Sequence, residues 1–103
     1  MPEGNSMNGA PRRAVAYYRL FVPRADARQR LRVRGHAARL GLELAAEYSD
    51  SWADALALAR LLRAARAGEV AVVVVDDESR LGTAESAALR AAGVRVESAA
   101  GTR

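Results

Sequence analysis

Short apolar runs alternate along the chain with stretches of helical periodicity. Residues 14–20, rich in valine and tyrosine, and the continuous run Val70–Val75 are typical of strands that are buried on both faces. Looser alternation over residues 42–48 and 94–97 predicts two further strands. The pattern therefore predicts four strands, with a helix between each strand and the next.

The first predicted helix runs from Asp26 to about Leu40. Asp26 and Gln29 stand three residues apart and are expected to form its capping pair. Gly35 lies inside this helix, where glycine costs about 1 kcal/mol relative to alanine, and Gly41 is expected to end it. The apolar positions expected to face the sheet are Ala27, Leu31, Ala38 and Leu40.

Two more helices are predicted after the second and third strands. The earlier one begins after a second capping pattern, formed by Ser51 and Asp54, and residues 83–92 form the later one. Gly68 and Gly93 are expected to end them. The apolar face of the earlier helix keeps the spacing of a buried helical stripe at Leu58, Leu61, Leu62 and Ala65.

This alternation of strand and helix, with no hairpin dipeptide between strands, predicts one α/β domain. We expect a three-layer arrangement, with a mainly parallel four-stranded sheet and helices on both of its faces. A chain of 103 residues suits a single domain. Residues 1–12 are predicted to be disordered, residues 13–98 to form the domain, and residues 99–103 to form a tail.

Composition narrows the function classes. The chain has no cysteine, which excludes disulfides, thiolate metal sites and a cysteine nucleophile. No apolar run could span a bilayer, and residues 1–12 lack the apolar core of a signal peptide, so we expect a cytoplasmic protein without membrane contact. Residues 1–40 hold 9 arginines against 2 acidic residues, and this excess of positive charge could bind nucleic acid. A GC-rich genome, which enriches arginine and alanine, is the alternative explanation.

Candidate chemistry collects where the strands end, because ligands of open parallel sheets bind beyond the carboxyl ends of the strands. Arg19 and Arg80 both fall at such ends, and two guanidinium groups can hold a phosphate through paired hydrogen bonds. The alternative is that each arginine pairs with a neighbouring acid, such as Asp50 or Asp77, and only fixes a loop.

Two motifs at these strand ends point to a known family. The first is Tyr17-Tyr18-Arg19-Leu20-Phe21, and the second is the stretch of residues 72–83, a valine strand followed by Ser-Arg-Leu-Gly-Thr. They resemble the Tyr-x-Arg-Val-Ser and Asp-Arg-Leu-x-Arg motifs of serine recombinases of the resolvase/invertase type. Residues 93–96 are similar to the Gly-Val-x-Val strand of the same family. Further positions that match the family are Gln29, Gly41, Tyr48 and Asp50.

The resemblance implies a domain that binds DNA phosphates, in which a serine attacks the phosphodiester and arginines stabilise the developing charge. Phe21 stands at the position of that serine, Ser79 at that of the aspartate, and Thr83 at that of the last arginine. No catalytic residue is therefore predicted. The residues expected to contact phosphate or DNA are Arg19 and Arg80, supported by Gln29 and Asp50, together with Arg28 and Arg32 from the first helix.

We accordingly predict a pseudoenzyme, a resolvase-like domain acting as a protein-interaction and DNA-associated regulatory module for an unidentified partner. One alternative is a residual recombinase or nickase that uses Ser79 beside Arg80. Another is a structural homo-oligomerisation domain that uses an exposed sheet edge or Trp52. The chain ends at Arg103, where the family continues into a long dimerisation helix, so a homodimer formed through that helix is not expected.

Three further features receive structural rather than functional interpretations. Trp52 is expected to stand without an aromatic neighbour, so base stacking is not predicted. The acidic run of residues 76–78 has oxygens that Mg²⁺ prefers, but Arg80 lies close by and the family equivalents are not ligands, so neither a metal nor another cofactor is predicted. His36 is expected to be a surface or partly buried residue, and no small-molecule substrate is evident.

Overall fold

The computed structural model describes residues 13–100, and in that range four strands alternate with three α-helices. In chain order the elements are β1 (Arg13–Leu20), α1 (Pro23–Arg39), β2 (Leu44–Ser51), α2 (Ala57–Arg66), β3 (Val70–Val75), a short 3-10 helix (Glu78–Arg80), α3 (Thr83–Ala91) and β4 (Arg95–Ser98). The order of strands and helices is the predicted one, with β2 placed later along the chain than expected.

The sheet has the strand order β2-β1-β3-β4, and each pair of neighbouring strands is parallel. This confirms the predicted α/β class and its four-stranded parallel sheet. Because parallel strands all end on the same side, the residues that follow β1, β2, β3 and β4 share one edge of the sheet. That edge is where the sequence places its candidate chemistry.

Both faces of the sheet are covered by helices, and the core is divided accordingly. On one face Val15, Tyr17 and Val73 pack with Leu61 of α2 and Leu89 of α3. The other face packs against α1, and its buried residues are Ala16, Tyr18, Val33, Ala37, Val72 and Val74. Burying a valine or leucine stabilises a fold by about 1.5–3 kcal/mol, so the two-sided burial of β1 and β3 is the main source of stability.

The buried face of α1 differs from the predicted one. Leu31 is 71% exposed, and Ala27, Ala38 and Leu40 are also exposed, so the prediction that these four residues face the sheet is wrong. The buried positions are instead Gln29, Val33 and Ala37, which follow the i, i+4, i+8 spacing. A stripe made of one amide and two small apolar side chains gives little apolar periodicity among so many arginines, so the sequence pattern favours the larger Leu31 instead.

Helix starts also differ from the predicted capping pairs. Helix α1 begins at Pro23, and the Asp26 carboxylate accepts a hydrogen bond from the Val22 backbone N–H at 3.2 Å, while Gln29 takes no part in the cap. The Ser51 hydroxyl accepts from the Asp54 N–H within a turn that precedes α2, and it does not cap the helix. The predicted helix ends are confirmed, because backbone torsions of positive φ occur at Gly41, Gly68 and Gly93.

At the ends of the chain, the predicted disordered segment of residues 1–12 lies outside the described residues, as do residues 101–103 of the predicted tail. Ala99 and Ala100 are described, and their N–H groups donate to the carbonyls of Val75 and Asp76. Hydrogen bonding to β3 therefore continues beyond residue 98. Within residues 13–100, no helix combines the length and the apolar character needed to cross a membrane.

Candidate functional site

Arg19 lies at the carboxyl end of β1, and its backbone is held by the side chain of Gln29. The Arg19 N–H donates to Gln29 Oε1 and Gln29 Nε2 donates to the Arg19 carbonyl, both at 2.8 Å. On this side of β1 the pairing with β3 extends only to Ala16, so the amide of Gln29 supplies the bonds that a neighbouring strand would otherwise make. Gln29 is 2% exposed, which makes it a support for Arg19 and leaves it little surface for a ligand.

An aromatic patch, defined as Phe21 and Trp52, covers the same edge of the sheet. The two rings meet edge to face, with centroids 4.9 Å apart and an interplanar angle of 62°. The Arg19 guanidinium carbon lies 5.5 Å from the centre of the Phe21 ring, within range of a cation–π contact. The expectation that Trp52 stands without an aromatic neighbour is therefore wrong. Phe21 and Trp52 are 31 positions apart in the sequence, and only the parallel pairing of β1 with β2 brings them together.

Asp50, at the end of β2, receives three hydrogen bonds from within the domain. Its carboxylate accepts from the Tyr17 hydroxyl at 2.5 Å and from the backbone N–H groups of Ala57 and Leu58 at 2.7 and 3.3 Å. These two N–H groups begin α2, so Asp50 caps that helix from seven residues upstream. Burial and the bond to Asp50 raise the pKa of Tyr17, which keeps this hydroxyl protonated and donating.

Arg80, in the 3-10 helix, is paired with Asp76 at the end of β3. The guanidinium donates to both carboxylate oxygens of Asp76, from Nε at 2.8 Å and from Nη2 at 3.0 Å, and this pairing raises the pKa of Arg80. Asp76 is buried, so the pair is partly shielded from solvent. The partner is neither Asp50 nor Asp77, the two acids that the sequence suggested, and the four-residue spacing from Asp76 to Arg80 was the available signal.

The remaining positions of the second motif lie beside Arg80. The Ser79 backbone N–H donates to Asp77, and the Ser79 side chain is exposed on the rim of an open groove that also includes Thr83 and Arg90. Glu78 accepts from the Ser86 hydroxyl and from Arg90, both at 2.7 Å. The carboxylates whose oxygens would suit Mg²⁺ thus have partners within the protein. Among residues 13–100, no cluster of three potential metal ligands is present.

The arginines of α1 divide into two groups. Arg34 donates two hydrogen bonds to Glu47 of β2, at 2.7 and 2.8 Å, and Glu47 also accepts from the Tyr18 hydroxyl at 2.6 Å. Arg30 lies over the Tyr18 ring at 5.1 Å. In contrast, Arg28 and Arg32 are exposed and make no ion pair with any described residue. Those two side chains are therefore available to an anionic ligand. His36 is partly buried, with Nε2 3.6 Å from Glu97.

The Glu47 contacts predict an acid-sensitive contribution to stability. Hydrogen bonding to Arg34 lowers the pKa of Glu47 from 4.5 to about 2, so the contribution is complete above pH 4.5 and is lost as the pH falls towards 2. Because both side chains are largely exposed, solvent screening limits this contribution to about 1 kcal/mol or less. We expect Glu47→Gln to lower the unfolding free energy by that amount at pH 7 and to match the wild type near pH 2, as measured by urea denaturation. Glu43→Gln, at the residue just before β2, is the control and should leave the unfolding free energy unchanged at either pH. A loss of stability in Glu47→Gln that persists at pH 2 would contradict this assignment.

Comparison with known proteins gives a consistent result for the fold. No family model and no curated protein matches the sequence. Among solved structures, the chain is similar to the C-terminal catalytic domain of ISC1926 TnpA, an IS607-like serine recombinase, with a TM-score of 0.71 and 21% identity over 88% of this chain and 69% of that one. It is also similar to a resolvase family site-specific recombinase from Streptococcus pneumoniae, with a TM-score of 0.70 and 16% identity over 86% of this chain and 73% of that one.

These likenesses agree with the motifs at the ends of β1 and β3. The two motifs lie on one edge of the sheet, since the 3-10 helix with Arg80 packs against β1, which ends at Leu20, between Arg19 and Phe21. What sequence reasoning missed are the partners of these residues, namely Asp76 for Arg80 and Trp52 for Phe21. The chain has the fold of the catalytic domain of serine recombinases.

Proposed function

We propose that this domain is a catalytically inactive relative of serine recombinases that serves as a binding module for a protein partner and for DNA. The observation that carries the proposal is Phe21. It stands where the resemblance places the attacking serine, and its side chain has no atom that can attack a phosphodiester. Its ring is engaged with Arg19 and Trp52, which fills the position with an apolar contact surface.

The surroundings of Phe21 support the loss of cleavage chemistry. The charge of Arg80 is offset by its paired hydrogen bonds to Asp76, and Thr83 supplies no charge where the family motif has an arginine. A transition state for phosphoryl transfer needs several cations arranged around its developing charge. Of the two arginines that match the family motifs, Arg19 and Arg80, only Arg19 has a guanidinium without a carboxylate partner among residues 13–100.

A relocated nucleophile is the competing proposal, and a plasmid assay separates the two. We expect the purified protein to leave supercoiled plasmid uncut, with and without Mg²⁺, because Phe21 has no nucleophilic atom and the charge of Arg80, next to the exposed Ser79, is offset by Asp76. Ser79→Ala is the matched variant and distinguishes contaminating nuclease from intrinsic cutting. Nicking by the wild type that disappears in Ser79→Ala would overturn the inactive assignment.

The DNA-binding part of the proposal depends on arginines without acidic partners, notably Arg19, Arg28 and Arg32. Each phosphate that such a residue neutralises adds about −0.9 to the slope of log affinity against log salt on duplex DNA. The salt slope of the wild type therefore gives the number of phosphate contacts. Its reduction in an Arg28→Gln, Arg32→Gln double variant gives the number made by these two arginines. If the protein does not bind DNA at low salt, DNA binding is removed from the proposal and protein interaction remains. Light scattering tests the alternative that the domain forms a homo-oligomer.

A further inference from the structure

The aromatic patch is unusually open for two large rings that contact each other. Trp52 is 86% exposed in the turn between β2 and α2, although its ring meets that of Phe21. Val22 and Leu56, adjacent in sequence to the loops that carry the two rings, are also exposed. An indole that is 86% exposed offers ring surface to solvent, as a stacking platform requires.

The charged group in contact with the aromatic patch is positive. Arg19 lies over the Phe21 ring, and Arg24 follows in the first turn of α1, with no ion pair to any described residue. Of the acids on the neighbouring loops, Asp54 is paired with Arg60 at 3.1 Å, and Asp26 accepts a hydrogen bond from the Val22 N–H. An occupant of this surface should therefore combine planar rings with negative charge.

We propose that the aromatic patch stacks an unpaired base of a single-stranded nucleic acid while Arg19 contacts the adjoining phosphate. A single strand offers both required groups, a π-face and a phosphate one sugar away, whereas in a duplex the base faces are already stacked within the helix. The inference rests on the nucleic-acid association proposed above and adds to it the class of ligand and the residues that bind it. An apolar protein segment would match the rings and leave the arginine charge without a counterpart.

The direct test uses the fact that Trp52 is the only tryptophan of the chain. We expect an oligothymidylate of about 20 nucleotides to quench tryptophan emission as it binds, since a stacked base contacts the indole. An abasic oligomer of equal length carries the same phosphates and should bind more weakly without quenching. The matched blunt duplex should also leave the emission unchanged. Equal affinity for the abasic and thymidine oligomers would overturn the proposal.

Variants then assign the binding to the patch. Trp52→Ala should weaken oligothymidylate binding about tenfold, followed by anisotropy of a labelled strand, and Trp52→Phe should restore most of it because the ring is retained. Arg19→Gln should reduce the single-strand salt slope by about 0.7, the value for one phosphate. The matched controls are Leu40→Ala, just after α1, and Arg66→Gln, at the last residue of α2, because these helix ends face the opposite edge of the sheet.

The high exposure of Trp52 means that its replacement should leave the fold intact, which circular dichroism will verify. An unchanged affinity of Trp52→Ala for oligothymidylate would overturn the stacking proposal. So would a Trp52→Ala variant that no longer captures a protein partner but still binds oligothymidylate as the wild type does. Neither result bears on whether the domain cuts plasmid, so failure of this inference and failure of the inactive assignment are separately visible.

Discussion

The Asp50→Ala variant is expected to lose about 3–5 kcal/mol of unfolding free energy, because three donors depend on this one side chain. The buried carboxylate is the acceptor for the Tyr17 hydroxyl and for the two N–H groups that begin α2. Alanine leaves all three donors without an acceptor, and each unsatisfied buried donor costs about 1–3 kcal/mol. Urea unfolding followed by circular dichroism measures the loss.

Two variants make the Asp50 result specific. Asp54→Asn removes the charge of an exposed carboxylate four residues after Asp50, and it should destabilise the fold far less than Asp50→Ala does. Tyr17→Phe removes one of the three donors, so in a double-mutant cycle its effect should shrink when Asp50 is already alanine. If Asp50→Ala costs no more than Asp54→Asn, the carboxylate does not support the junction between β2 and α2.

The second large effect is expected for Gln29→Leu, a change that nearly preserves volume and removes both hydrogen bonds to the backbone of Arg19. We expect a loss of about 2–4 kcal/mol, because the N–H and carbonyl of Arg19 are left unpaired where β3 no longer reaches β1. The same change should free the end of β1 and so loosen the position of the Arg19 side chain.

Amide hydrogen exchange distinguishes this local role from general destabilisation. Gln29→Leu should remove the protection of the Arg19 amide selectively. Val33→Ala is the matched control, since Val33 lies one turn further along the same buried face of α1 and makes only apolar contacts. It should lower global stability while protection at Arg19 falls only in proportion to the global change. Unchanged protection in Gln29→Leu would contradict the assignment.

Much of the fold could be predicted from the sequence because its strands are locally distinctive. The valines of β3 and the paired tyrosines of β1 are buried on both faces, so their apolar character is continuous and needs no partner to be recognised. Helix ends were predictable for a similarly local reason, since a glycine such as Gly41 adopts the positive φ that closes a helix at little cost. The buried face of α1 was not predictable, because a polar residue such as Gln29 is expected to be exposed. It is buried here because its amide bonds to the backbone of Arg19.

The sequence was enough to place both candidate arginines at strand ends, but it did not show which residues they contact. Arg19 and Arg80 are both strand-end residues, and a parallel sheet necessarily brings strand ends to one side. Whether an arginine is free or paired depends on distances of a few ångströms. Arg80 forms a salt bridge with Asp76, whereas the Arg19 guanidinium contacts the Phe21 ring.

The amino-acid sequence was thus enough to predict an arginine-rich α/β domain, with Phe21 where the motif that it resembles has serine. These properties are local, being matters of residue identity, periodicity and order. Tertiary structure alone decided that Phe21 meets Trp52 and that Asp50 serves both Tyr17 and the start of α2. Such contacts join residues from separate strands and loops, and they form only once the register of the parallel sheet sets which side chains are neighbours.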